Sequence, residues 1–179
     1  MNEFFKDNEI KTIDDKLLGK GAKVVIPEGE DDNVIDALEY INNIKFVLLG
    51  SKEIITNKII SRFNDDKYLS KIEVIEPKDF LDAELVEIFL EKRKGKITKE
   101  EAEKLIIQNN YYGTMLLEAG RVDALVGGCV YTTADILKPA FQIIKPKPGS
   151  KIVSSVFIMK KDEETLLFSD CAVNINPTK

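Results

Sequence analysis

The chain has 179 residues, an apolar share of 44% and a formal net charge of −5, with 26 basic and 31 acidic side chains. That length makes one ordinary domain, or one and part of another, with enough apolar residues for a real core. Interspersed charge gives no basic footprint for nucleic-acid or membrane-surface binding, and two distant cysteines with no histidine argue against a disulfide framework or a metal site.

The charged N-terminus reads as lacking a signal peptide, and no apolar run nears the roughly 20 residues of a membrane span. A cytoplasmic protein is expected. The lack of histidine also removes the commonest general base. Acid–base chemistry must use Asp, Glu, Lys, Tyr or Cys, or residues outside the chain.

Residues 1–18 place Phe4, Phe5, Ile10, Ile13, Leu17 and Leu18 among charges, which predicts a short amphipathic helix. Gly19-Lys20-Gly21 comes before the first strand and lacks a third glycine, so it marks a turn rather than a dinucleotide site. Residues 23–26 are the first strand, buried by their β-branched run. The acidic connection from Pro27 to Asp32 leads into a helix over 33–40 with Val34, Ile35 and Leu38 inward. Carboxylates at such a helix start read as caps and dipole partners, with a catalytic carboxylate as the competing reading. A second strand over 45–49, a helix over 52–62 and a strand over 72–75 follow.

Residues 82–94 read as a helix with Leu85, Val86, Phe89 and Leu90 on one stripe, ending in the basic cluster 92–96. Cations in a last turn complement the helix dipole. Thr98 and Glu101 spell a capping box. The helix it opens is expected to run to Ala119 with a break near Asn109-Asn110, and Gly120 supplies its C-terminal glycine.

The stretch from Gly120 to Gly149 organises the chain. Ala124-Leu125-Val126 has strand character, two glycines follow, and Thr132-Thr133-Ala134-Asp135 opens a helix. Ile136, Leu137, Ala140, Ile143 and Ile144 fit one face of it. Thr132 or Thr133 can cap its start, with Asp135 in the favourable first turn. Free N–H groups and hydroxyls at a strand's carboxyl end suit a phosphate, although an ordinary βα connection has the same pattern. Cys129, beside the turn, is expected to be a small packing residue. After a turn at 146–149, strands over 151–159 and 165–169 form a hairpin about a turn at 160–163. Strands alternating with helices predict an α/β fold with a largely parallel sheet and right-handed crossovers.

The string GGCVYTTADILKPAFQIIK resembles the signature of the phosphate acetyltransferase family, and phosphate butyryltransferases are its relatives. VVIPEGED, RKGKITKEEA, VSSVFIMKK and FSDCAVNINP continue the resemblance in the family's own order along nearly the whole chain. The resemblance implies an isocitrate/isopropylmalate dehydrogenase-like topology in two domains, usually dimeric, with the site in the cleft between them. It implies that this chain is the first half: residues 1–149 a first α/β domain lacking its C-terminal part, and 150–179 a strand hairpin leading towards an absent second domain. The implied reaction is direct acyl transfer, acetyl-CoA plus phosphate giving acetyl phosphate plus CoA. Coenzyme A is then a substrate, and no cofactor is bound permanently. Implied partners are those small molecules and further copies in a homo-oligomer, with no nucleic acid and no membrane.

The resemblance assigns substrate binding to Arg93, Thr132, Thr133 and Lys138. The family's catalytic serine, arginine and aspartate lie beyond residue 179, so the chain alone is expected to be inactive. Lys138 stands where the family has arginine, and Tyr131 where it has histidine. The competing readings are a non-catalytic half-domain that binds phosphate, CoA or a partner chain, and a butyryltransferase-type enzyme.

Overall fold

The computed structural model describes residues 21–40, 44–63, 68–150, 152–161, 164–170 and 173–174. The helix expected over 1–18, together with Cys171 and residues 175–179, lies outside them. The described residues fall into two compact units, one running through Lys145 and the other starting at Pro146.

In the first unit the β-branched and apolar runs become strands β1 (Ala22–Ile26), β2 (Ile44–Leu49), β3 (Ile72–Ile75) and β4 (Ala124–Leu125). They pair in the order β3-β2-β1-β4, every pair parallel. Val25, Val47, Leu48 and Leu49 are fully buried, as strands covered on both faces must be. Strand β4 is one residue shorter than expected, although the Val126 N–H still reaches the Val25 carbonyl at 3.0 Å.

Crossover helices cover the sheet. Helix α1 (Asp32–Ala37) is capped by Asp31 and continues as a 3-10 turn over Leu38–Tyr40; Val34, Ile35 and Leu38 face inward as expected. Helix α2 (Lys52–Phe63) buries Ile55 and Ile59. Helix α3 (Ala83–Arg93) buries Leu85, Val86 and Phe89 after the cap Asp82, and Arg121 pairs with that cap at 2.6 Å. The capping box at Thr98 and Glu101 is formed and opens α4 (Lys99–Ile106). The chain breaks at Ile107-Gln108 and resumes as α5 (Asn109–Glu118), just ahead of where the break was expected. Helix α5 is the most buried, and Gly113 lets it lie on the sheet: a Cβ there would sit 3.1 Å from Leu125 Cδ1. Gly120, at φ +67°, closes α5 with bonds from Gly120 N–H to Leu117 and from Arg121 N–H to Leu116, the paired pattern of a glycine C-cap.

Helix α6 (Thr133–Ile143) corrects one expectation. Ile143 is buried, but Ile144 is 42% exposed and Pro139 takes an inward place instead. Ile144 falls just after the last helical residue, where the chain turns away from the core.

In the second unit, β5 (Val156–Lys161) and β6 (Glu164–Ser169) pair antiparallel. The strands extend further towards the tip than expected, because Lys160 pairs with Thr165 and Lys161 with Glu164, while residues 152–155 stay out of the ladder. Asp170 collects the Ser154 hydroxyl at 3.1 Å and the Asn174 N–H at 3.0 Å, tying the two ends of the ribbon together.

Candidate functional site

The site is built where β1 and β4 end side by side. Chain leaving β1 turns at Pro27-Glu28; chain leaving β4 turns at Gly127-Gly128, with Gly128 at φ +112°. That left-handed residue swings the following amides to one side. Gly127 packs closely here: a Cβ would meet Ile136 Cδ1 at 2.9 Å, so that side chain would have to shift.

Four successive amides converge on a single side chain. Glu28 Oε2 accepts from the N–H groups of Gly128 at 2.8 Å and Cys129 at 3.1 Å. Its Oε1 accepts from Val130 at 2.5 Å and from Tyr131. Glu28 is itself buried. Burial pushes its carboxyl up, but the four donors outweigh burial and hold it below the usual carboxylate range. The donors expected to lie free in this turn are therefore occupied by the protein's own anion. Glu28 caps no helix; Asp31 does that for α1.

Beyond the turn, Thr132 caps α6. Its hydroxyl donates to Asp135 Oδ2 at 2.7 Å and accepts from the Asp135 N–H, while the Thr132 N–H returns to Asp135 Oδ2 at 3.1 Å. Those bonds, first from the Thr132 side chain, and then the charge of Lys138 keep the Asp135 carboxyl below its usual range. Of the two threonines, Thr132 is spent on the cap. Thr133 and Ala134 follow on an exposed first turn, and their N–H groups have no intrahelical acceptor. Lys138 is exposed one turn later.

Pro139 cannot donate to the carbonyl four residues back, that of Asp135. Asn110 fills the gap: its Nδ2 donates to Asp135 O at 2.8 Å, and its Oδ1 takes the Tyr111 N–H at 3.0 Å. The neighbouring Asn109 donates to the carbonyls of Pro27 and Leu49, at the ends of β1 and β2.

Arg93 lies away from this turn, at the end of α3. Its Nε is buried and lacks a hydrogen-bond partner among the described residues. Its charge reaches Tyr111, whose hydroxyl donates to Gln142 Oε1 on the last turn of α6. The structure thus places Thr132, Thr133 and Lys138 on the first half of α6 and Arg93 beside its second half.

Cys129 is exposed, not packed. Its thiol donates to Asp31 Oδ1 at 3.2 Å, and that bond, followed by burial and the charges of Asp31 and Glu28, pushes the thiol up. A thiol held in its protonated form is a poor nucleophile. Nearby, an open cavity of about 390 Å³ is lined by Glu28, Glu30, Asp31, Asn109 and Tyr131 among others, none of them basic. Three carboxylates and no cation make it unsuited to a phosphate. Among the described residues no group of His, Cys, Asp and Glu could hold a metal, and no helix is long and apolar enough to cross a membrane.

The family model for phosphate acetyl/butaryl transferase matches residues 9–179. The chain belongs to that family. It is 43% identical over 169 residues to a phosphate acetyltransferase of Staphylococcus aureus, covering 92% of this chain and 51% of the relative, and 41% identical to one of Staphylococcus epidermidis, covering 50% of it. Among solved structures, a phosphotransacetylase from Streptococcus pyogenes superposes with a TM-score of 0.85 at 37% identity, over 96% of this chain and 53% of that one. The EutD phosphotransacetylase from Staphylococcus aureus gives 0.80 at 41% identity, over 95% and 52%. The chain therefore spans about half the length of the family members it matches. The residue that shapes this turn, Glu28, was missed by sequence reasoning, because its partners lie about a hundred positions away. Its only trace was a buried acidic turn after β1.

Proposed function

We propose that this chain supplies the phosphate side of an acyl transfer between acetyl-CoA and inorganic phosphate, giving acetyl phosphate and CoA. In the direction that consumes acetyl phosphate, the CoA thiolate attacks the acetyl carbonyl, the C–O bond to phosphate breaks, and phosphate leaves with the electron pair. Such a step needs donors and cations on the phosphoryl oxygens. The observation that carries the reading is the exposed first turn of α6, where the N–H groups of Thr133 and Ala134 and the Thr133 hydroxyl stand one turn from the Lys138 ammonium. Arg93, whose Nε is buried without a hydrogen-bond partner among the described residues, is a second candidate cation, but from beside the second half of α6 and not from its first turn. Thr132 contributes by fixing the turn. Acetyl rather than butyryl transfer is proposed because the relatives above are acetyltransferases. We further place the boundary of the first domain near residue 149, the working form as a homo-oligomer, and its setting in the cytoplasm.

Lys138 tests the reading. Assayed together with the C-terminal half of the Staphylococcus aureus relative, Lys138→Ala should lose about 2–4 kcal/mol of transition-state binding in kcat/KM. Lys138→Arg should keep or raise activity, since a planar fork binds two phosphate oxygens at once. Equal kcat/KM for Lys138→Ala and the parent would remove Lys138 from the site.

A further inference from the structure

The first turn of α6 is anchored from two distant places in the sequence, and neither anchor is free to do chemistry. Glu28 has each carboxylate oxygen occupied by two amides, so it has no open lone pair for a proton or a metal. Asn110 has its amide nitrogen on the Asp135 carbonyl and its oxygen on a backbone N–H. Glu28 fixes residues 128–131, the chain entering the cap. Asn110 fixes the carbonyl that Pro139 orphans inside the helix. Between them stand Thr132, Thr133 and Ala134, with Lys138 immediately before the proline.

We propose that Glu28 and Asn110 are positioning residues that together set the direction of the α6 first turn, and with it the aim of the Thr133 and Ala134 amides and of Lys138 at a phosphate. The inference rests on the phosphate reading above. The reason for two anchors is mechanical. A proline inside a helix removes one hydrogen bond and pushes its ring against the carbonyl four residues back, which bends the axis. A bent helix start has no preferred direction unless something outside the helix selects one. Asn110 selects it on the helix side. Glu28 selects it on the loop side, where Gly127 and Gly128 would otherwise leave the backbone loose.

The geometry predicts a specific pattern of loss and rescue. Glu28→Gln keeps the shape but turns an amide group towards two of the four N–H donors. Asn110→Ala leaves the Asp135 carbonyl without a donor. Pro139→Ala on top of Asn110→Ala returns a helical N–H to that carbonyl. The experiment is a titration of the 15N-labelled 179-residue chain with inorganic phosphate, followed at the Thr133 and Ala134 amides, with amide exchange measured at residues 128–131 and along β1 and β2. Glu28→Gln and Asn110→Ala should each weaken phosphate about tenfold, the scale of a small misplacement of aligned groups, while β1 and β2 remain the most protected strands, their exchange rising only by the global loss of stability. Glu28→Gln should also speed exchange at 128–131. The Asn110→Ala/Pro139→Ala double variant should bind phosphate to within about threefold of the parent. If the parent binds phosphate and the single variants bind it equally well, the positioning role is wrong. If the double variant is no better than Asn110→Ala, the carbonyl is not what Asn110 holds. A parent chain whose Thr133 and Ala134 amides do not respond to phosphate overturns the phosphate reading itself, whatever the exchange rates at 128–131.

Discussion

A buried carboxylate that collects four amides is linked to pH in one direction only. Its carboxyl is depressed in the folded chain by those donors against the opposing effect of burial. In the unfolded chain it titrates near the ordinary glutamate value of about 4.3. Its stabilisation is thus complete above that value and drains away as pH falls through the lower folded value. Glu28→Gln should cost about 2–3 kcal/mol at neutral pH, the scale of a lost charged hydrogen bond with its donors left unpaired. It should also flatten the acid limb of stability measured by urea melts between pH 7 and pH 3. An acid limb of unchanged slope in Glu28→Gln would assign the pH dependence to other carboxylates, of which Asp82, with Arg121 beside it, is a strong candidate. The acidic turn around Glu28 is visible in the sequence, and its place before a helix predicts capping. Only Asp31 caps. Local spacing reveals an i to i+3 bond, but it carries no information about a bond from residue 28 to residue 131.

At the scale of elements, sequence periodicity placed β1, β2, β3 and helices α1 to α6 correctly, because each has a buried stripe or a cap with a local signature. What it could not place were features decided by neighbours. Strand β4 is short because only Val24 and Val25 offer it partners. Cys129 is exposed because the loop around it is organised by Glu28 and not by packing. The close approach of β1 and β2 at their ends gives a test. Gly29 lies where a Cβ would meet Leu48 Cβ at 2.8 Å and the Leu49 carbonyl at 3.0 Å. Neither is the flexible end of a side chain, so the strand ends must separate. Gly29→Ala should destabilise by about 1–3 kcal/mol, read as a shift of the denaturation midpoint. A midpoint within error of the parent would mean the two ends can part without loss.

For the whole molecule, the hairpin is the feature with the largest consequence. Phe157, Met159, Leu166 and Phe168 lie on one face of the ribbon and Val156, Ile158 and Leu167 on the other, and all are about half exposed or more. A two-stranded ribbon is at best marginal alone, and apolar surface on both faces marks a contact surface. The 179-residue chain should therefore self-associate through β5 and β6. Leu167→Lys with Phe157→Lys should shift it towards monomer in light scattering, without altering the melting of the first unit. A monodisperse monomer of the parent chain would show that the ribbon is tolerated uncovered. The fold class and family were legible from motifs in order along the chain. The state of assembly was not, because it depends on surfaces that no local pattern describes.

The order of the sheet gives the Glu28 contact a further meaning. From β1 the chain goes out to β2 and β3 on one side and returns to β4 on the other, so the crevice at the carboxyl ends of β1 and β4 is a topological switch point. Parallel sheets of this kind generally receive their ligands in that crevice. Here the seat is taken by an intramolecular guest. The protein has in effect saturated the amides of its own binding niche with Glu28, so the phosphate proposed above is met one helical turn further out, at the exposed start of α6.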